Sequence, residues 1–213
     1  MKVKALLSIV CCLLVIKAPA QKPFTEGTLN YKVKLEAADK TYEGTYTFII
    51  KGGQIRKELQ LNNGFRDIVI INTTTNTIYS LRTENGKKYA IQLRMDDMEA
   101  RQKKYVGYSF SEDKNTGKLI AGLPTFKGNI TYTDGSRCEI YYSHEWRPDK
   151  NITFERFPDA RFLPLSFTYK DDNNFTMRME ADNVNISPVE NAVFRVPVDY
   201  KIITNEEYKQ LSR

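Results

Sequence analysis

Apolar residues recur at every second position along much of this chain, and the runs that carry them are separated by dipeptides suited to tight turns. Leu29, Tyr31, Val33 and Leu35 share one side of the run from Gly27 to Glu36, and Tyr42, Gly44, Tyr46, Phe48 and Ile50 repeat the pattern in the next. Side chains alternate across a strand, so this period builds strands with one face on a core. Gly52-Gly53, Asn63-Gly64, Asn85-Gly86 and Asp134-Gly135 each lie between two such stretches. These pairs accept the positive φ angles that hairpins demand. Further strands are predicted over residues 54–61, 65–71, 77–82, 87–95, 126–133, 137–143, 152–157, 165–170 and 175–182. About ten strands joined by short turns imply one antiparallel sheet, large enough that it must curl or close.

Two segments break the pattern with helical character. Residues 96–104 begin with Asp96 and Asp97 and end with Arg101, Lys103 and Lys104, the order that complements a helix dipole. Thr204 and Glu207 have capping-box spacing, which predicts a short helix over 204–211. A loop is expected at Asp171-Asp172-Asn173-Asn174. No linker or repeat divides the chain after residue 20, so residues 21–213 are expected to form one domain.

Residues 1–20 have another composition. Lys2 and Lys4 precede an apolar run from Ala5 to Ile16, and Ala18-Pro19-Ala20 leads into polar Gln21 and Lys22. That order predicts a secretory signal peptide, cleaved after Ala20. The run is too short to span a bilayer, which takes about 20 residues of helix. Cys11 and Cys12 lie within the apolar run, behind Ser8, Ile9 and Val10, which is not the placement of a lipid-anchored cysteine. Removing Lys2, Lys4 and Lys17 lowers the formal charge from +6 to +3. The balance that remains gives no basis for expecting nucleic acid as a partner. Only Cys138 follows the leader, so no internal disulfide is available and a buried strand thiol is expected.

The parts needed for catalysis are scarce. His144 is the one histidine, and no Gly-x-Ser-x-Gly elbow accompanies it. Zinc coordination through histidine or cysteine pairs is excluded on the same count. Asp96, Asp97 and Glu99, and the 171–174 cluster, lack the spacing of a calcium loop. Glu58, Glu139 and Glu180 are strand acids whose alternating neighbours turn them outward. Five Asn-x-Ser/Thr sites, at Asn72, Asn129, Asn151, Asn174 and Asn185, matter only in a pathway that glycosylates them. No cofactor or metal is expected, and no enzymatic activity.

What the chain holds in excess is aromatic area on strands. Tyr31, Tyr46, Phe48, Ile50, Tyr89, Ile91, Tyr141, Phe167 and Tyr169 are the candidate ligand-binding residues, with Phe175 as a further aromatic. On a curled sheet such side chains fill a core or line a cavity of lipid size.

The ordered series Tyr46-Thr47-Phe48-Ile49-Ile50-Lys51, Ile55-Arg56-Lys57-Glu58, Ile68-Val69-Ile70-Ile71-Asn72 and Thr77-Ile78-Tyr79 resembles the periplasmic lipoprotein carriers and outer-membrane lipoprotein receptors of the Lol system. Gly128-Asn129-Ile130-Thr131-Tyr132, Glu139-Ile140-Tyr141-Tyr142 and the closing Phe194-Arg195-Val196-Pro197-Val198-Asp199-Tyr200 continue the likeness, which extends to uncharacterised secreted relatives in Bacteroidetes. The resemblance implies a strongly curved antiparallel sheet of about eleven strands, an unclosed barrel with one or two short helices, and places Phe194 to Tyr200 in the last strand. It also implies acyl chains bound on the concave face. Carriers have a helix before the first strand, whereas only Gln21 to Glu26 precede Gly27 here. Gly52 stands where carriers have the arginine that ties the sheet to a helical lid, so only 96–104 is left to act as a mid-chain lid.

The expectation is therefore a non-enzymatic, exported binding protein, periplasmic or secreted, that takes a lipid, an acyl chain or another hydrophobic molecule. The alternative is an envelope module that binds a protein or glycan and has a packed interior.

Overall fold

A computed structural model describes residues 21–113, 115–149, 154–158, 160–170 and 175–211. The predicted signal peptide, the 171–174 loop and the Asn151 and Asn174 sites lie outside those residues. Six strands follow one another as a meander: β1 (Glu26–Ala37), β2 (Lys40–Lys51), β3 (Gln54–Leu61), β4 (Arg66–Asn72), β5 (Thr77–Glu84) and β6 (Lys87–Leu93). Helix α1 (Met95–Gln102) then precedes a second series, β7 (Ser109–Asp113), β8 (Phe126–Thr131), β9 (Arg137–Ser143), β10 (Leu163–Lys170) and β11 (Thr176–Asn185). The chain ends in β12 (Lys201–Thr204) and α2 (Asn205–Leu211).

The twelve strands form one sheet in the order β12-β6-β5-β4-β3-β2-β1-β11-β10-β9-β8-β7. Its seam is the antiparallel pairing of β11 with β1, from Thr176 opposite Glu36 to Asn185 opposite Thr28. Every neighbour is antiparallel except β12, which runs parallel to β6. The edge strands β12 and β7 do not pair, so the sheet curves without closing. The sheet thus has one strand more than predicted, and the extra pairing is parallel.

Turn chemistry sets the meander. Gly52, Gly64, Gly86 and Gly135 take φ of 56°, 87°, 76° and 82° at the four predicted hairpins. Two further turns put non-glycine residues in the same region, Ala38 at 50° and Asn76 at 52°. Asn72 Oδ1 accepts hydrogen bonds from the backbone of Thr74 and Thr75 at 3.0 and 3.1 Å, which fixes the second of these turns.

Register aligns the alternating residues into one inner face. Leu29, Tyr31 and Val33 of β1 lie opposite Phe48, Tyr46 and Gly44 of β2, and these in turn oppose Lys57, Leu59 and Leu61 of β3. Across the seam the same face continues through Met179 and Ala181, Leu165 and Phe167, and Cys138, Ile140 and Tyr142. Apart from Gly44 and Lys57, these residues form the main core or pack against it. Glu58, Glu139 and Glu180 fall on the opposite phase and face outward as expected.

The outer face of β4–β6 is covered by the C-terminal segment. Ile68, Ile70, Leu81 and Ala90 form a second cluster against Val196 and Tyr200. Lys51 Nζ donates to the Val189 carbonyl at 2.5 Å and Arg56 Nη1 to that of Val193 at 3.2 Å, which holds the segment down. The Phe194 to Tyr200 motif is consequently not a strand. Phe194 ends a 3-10 turn over Asn191–Phe194, and the strand begins only at Lys201.

Helix α1 starts at Met95 and passes into a 3-10 turn over Lys103–Tyr105, so the predicted 96–104 helix is shorter and tighter at its end. Met95 and Met98 pack on the inner face. The capping box forms as predicted: Glu207 N donates to Thr204 Oγ1 at 3.1 Å, and Thr204 N to Glu207 Oε2 at 2.6 Å. One predicted strand is a turn, and one strand was not predicted. The described part of the 152–157 strand is a turn in which Phe157 N donates to the Phe154 carbonyl at 2.8 Å. Strand β7 escapes the sequence pattern because its residues are polar apart from Phe110 and mostly exposed. Ahead of β1, Lys22–Phe24 pairs in parallel with Trp146–Pro148 and buries Phe24. Among the described residues no helix is long and apolar enough to cross a membrane.

Candidate ligand-binding groove

The inner face is not filled evenly. Between β2–β4 on one side and β10–β11 on the other lies a cavity of about 210 Å³, walled by Tyr46, Phe48, Leu59, Phe167, Tyr169 and Met177. The turn from Phe154 to Phe157 forms its roof. Phe154 stacks on Phe48 with ring centroids 5.0 Å apart, and Phe157 meets Phe167 edge-on at 5.1 Å. Tyr132 donates its hydroxyl to the Arg156 carbonyl at 3.1 Å, while the Arg156 guanidinium lies 3.3 Å from the centre of the Tyr169 ring. The roof is thus tied to the sheet by stacking and by a part-buried hydrogen bond.

Two further cavities share walls with the first. One, of about 440 Å³, has Leu59, Glu155, Arg156, Tyr169 and Met177 in common with it and opens past the exposed rings of Phe65 and Phe175. The other, of about 290 Å³, shares Lys57, Val69 and Glu155 and runs beneath α1 and α2. Together they make a groove along the concave side whose middle is apolar and whose ends differ. Such a mostly apolar concavity with a few placed polar groups is the usual form of a small-molecule site.

The polar groups inside are specific. Lys57 occupies the apolar phase of β3, and its Nζ lies 5.8 Å from the Phe48 ring centre. Burial pushes its ammonium below the usual lysine range, with the Glu155 carboxylate pulling in the other direction. Asp67 sits on the same inner face, with Arg82 Nη2 3.0 Å from its Oδ1 but not aligned for a hydrogen bond. Burial raises the phenols of Tyr31 and Tyr46, so both stay neutral across the physiological range. Tyr31 donates to the Pro164 carbonyl at 2.8 Å.

The candidate residues divide accordingly. Tyr31, Tyr46, Phe48, Phe167 and Tyr169 line the central cavity. Ile50 lies on the same face but is completely buried in the core, away from the groove. Tyr89 and Ile91 belong to the correct phase of β6, but Tyr89 packs on Tyr208 of α2 with ring centroids 6.5 Å apart, outside the three cavities. Tyr141 is a correction. It pairs with Ser166 on the outer face, where Lys118 Nζ stands 4.7 Å from its ring centre. The inner phase of β9 is set by Cys138, Ile140 and Tyr142. Sequence reasoning missed Lys57, Asp67, the roof turn and Met177. Lys57 was visible as a charged residue in the series Ile55, Lys57, Leu59, Leu61. Among the described residues, no three histidines, cysteines, aspartates or glutamates gather as metal ligands.

No family model matches the sequence, and no curated protein is similar to it in sequence. Solved structures of similar shape include an uncharacterized conserved protein from Thermus thermophilus, at 9% identity and a TM-score of 0.50 over 85% of this chain and 91% of that one. A LolA superfamily protein from Nitrosomonas europaea is 10% identical, with a TM-score of 0.39 over 83% of this chain and 92% of its own. MucB in the Pseudomonas aeruginosa MucA/MucB complex is 9% identical, with a TM-score of 0.44 over 84% of this chain. The chain spans 57% to 60% of the MucB chains it matches. At these identities the likeness is one of fold alone. The curved, unclosed sheet implied by the resemblance to the Lol carriers is the fold of this chain.

Proposed function

We propose that this chain is an exported, non-enzymatic binding protein that holds a hydrophobic ligand, such as an acyl chain, in the groove on its concave face. The observation that supports this reading is the pair of cavities that share Leu59, Tyr169 and Met177 as walls, the first of them also lined by Phe48 and Phe167. Burial of an acyl chain stabilises by about 0.8 kcal/mol per CH₂, so even a segment of chain in the central cavity supplies useful affinity. Export rests on the charged, apolar and small-residue order of residues 1–20. Trafficking of a lipid or a lipoprotein is the finer form of the same proposal.

Native mass spectrometry of the mature protein, purified from its own envelope or secreted fraction, tests the reading when paired with lipid extraction. A stoichiometric lipid should co-purify. Leu59→Trp, which places a ring across the wall shared by two cavities, should lower uptake of an acyl probe by at least about tenfold with the fold retained. Bare protein that also takes up no acyl probe would overturn the proposal.

A further inference from the structure

The end of the groove beneath the two helices has a charge balance unlike the rest. Its wall combines Val69, Ile71, Ile78, Leu93 and Met98 with Lys57, Arg94, Arg101 and Lys209, against Asp97 and Glu155. Arg94 is already engaged by Asp96 at 2.8 Å. Lys57, Arg101 and Lys209 make no ion pair among the described residues. Cations therefore exceed anions at this end of the groove, with Lys57 at the point where it meets the central cavity, where Arg156 is balanced by Asp67 and Glu155.

A desolvated ammonium without a hydrogen-bonded anion is costly, and strand periodicity gives β3 an apolar residue at that position. Glu155 is near enough to act on Lys57 through space but makes no ion pair with it. Resting on the groove reading above, we infer that the ligand is an anionic amphiphile. Its chain lies between the sheet and the Phe154–Phe157 turn, and its carboxylate or phosphate head faces Lys57, with Arg101 and Lys209 at the rim. A neutral or cationic head in that place leaves Lys57 half-buried without an ion-pair partner.

The test uses the mature protein, freed of lipid, and four probes sharing a sixteen-carbon chain: palmitate, hexadecyl phosphate, hexadecanol and hexadecyltrimethylammonium. Displacement of a fluorescent acyl dye reads their affinities. The anionic probes should bind at least about tenfold more tightly than hexadecanol, and the cation should bind most weakly. The better of the two anions identifies the head group. Lys57→Met should abolish the preference, read as the ratio of palmitate to hexadecanol affinity in the same variant, and Lys57→Arg should restore part of it. Because a change at Lys57 also alters the wall of the groove, Arg101→Gln with Lys209→Gln provides a second test at the rim and should reduce the preference severalfold. Glu155→Gln should strengthen anion binding, whereas a structural Lys57–Glu155 couple predicts that it destabilises the protein and leaves selectivity unmoved. Equal affinity for palmitate and hexadecanol overturns this inference alone. Failure of all four probes overturns the groove reading and this inference with it.

Discussion

At the scale of single residues, Lys57 joins stability to function. Its ammonium is held among Phe48, Val69 and Leu59 with its pKa pushed down by burial, so the folded state carries a charge that the unfolded state solvates more favourably. Lys57→Met in the ligand-free protein should therefore raise Tm by about 2–4 °C, the shift that about 1 kcal/mol produces in a domain of this size. A fall in Tm would show that Glu155 already compensates the charge. Cys138 behaves in the opposite sense. Burial pushes its thiol up to about 12, so alkylation at pH 8 should occur only as fast as the protein unfolds, measured by mass shift against denaturant. Residue positions were legible where alternation is clean. Tyr31, Tyr46, Phe48, Phe167 and Tyr169 all reached the groove. Tyr141 did not, because regular alternation along β9 puts Cys138, Ile140 and Tyr142 on the inner face and leaves Tyr141 on the other. Tyr89 and Ile91 kept their phase but lay too far around the curve, a distance that sequence does not encode locally.

Among the elements, the hairpins were the most legible and the roof was the least. Phe154 and Phe157 are spaced three apart, which no strand places on one face, and that spacing closes a turn over the sheet. Phe157 is almost completely buried against Phe167, so Phe157→Ala should cost about 3–5 kcal/mol in denaturant unfolding and should loosen acyl binding as the roof lifts. The meeting of β2 and β3 is tighter still. A Cβ on Gly44 would stand 2.0 Å from the Gln60 carbonyl oxygen, which the backbone must move to accept. Gly44→Ala should therefore destabilise by about 1–3 kcal/mol. The resemblance to the Lol carriers places the segment before β12 in the last strand. The structure uses them to cover Ile68, Ile70, Leu81 and Ala90 on the outer face, a second burial that periodicity within one strand does not announce.

For the molecule as a whole, two meanders joined at β1 and β11 explain why the sheet curves enough to enclose a groove yet keeps two edges. The packed interior expected of a pure interaction module is not what lies between Phe48 and Tyr169; a protein partner would meet the edges or the outer face instead. Burial also sets the alkaline limit of this fold. Tyr31, Tyr46, Tyr132 and Tyr142 have raised pKa values, so they keep their protons in the folded state at pH values where the unfolded chain, with phenols near 10, has lost them. The unfolded state then binds fewer protons, and stability falls as pH rises above about 10, by up to about 1.4 kcal/mol per pH unit for each such tyrosine. In a titration followed by phenolate absorbance and circular dichroism together, a fraction of the tyrosines should ionise only as the β signal is lost. Occupancy of the groove is tested by anomalous diffraction from crystals grown with a terminally brominated palmitate. Bromine density is expected on the concave side, among Phe48, Leu59, Phe167, Tyr169 and the Phe154–Phe157 turn. Bromine density only on the outer face or at the sheet edges would contradict it.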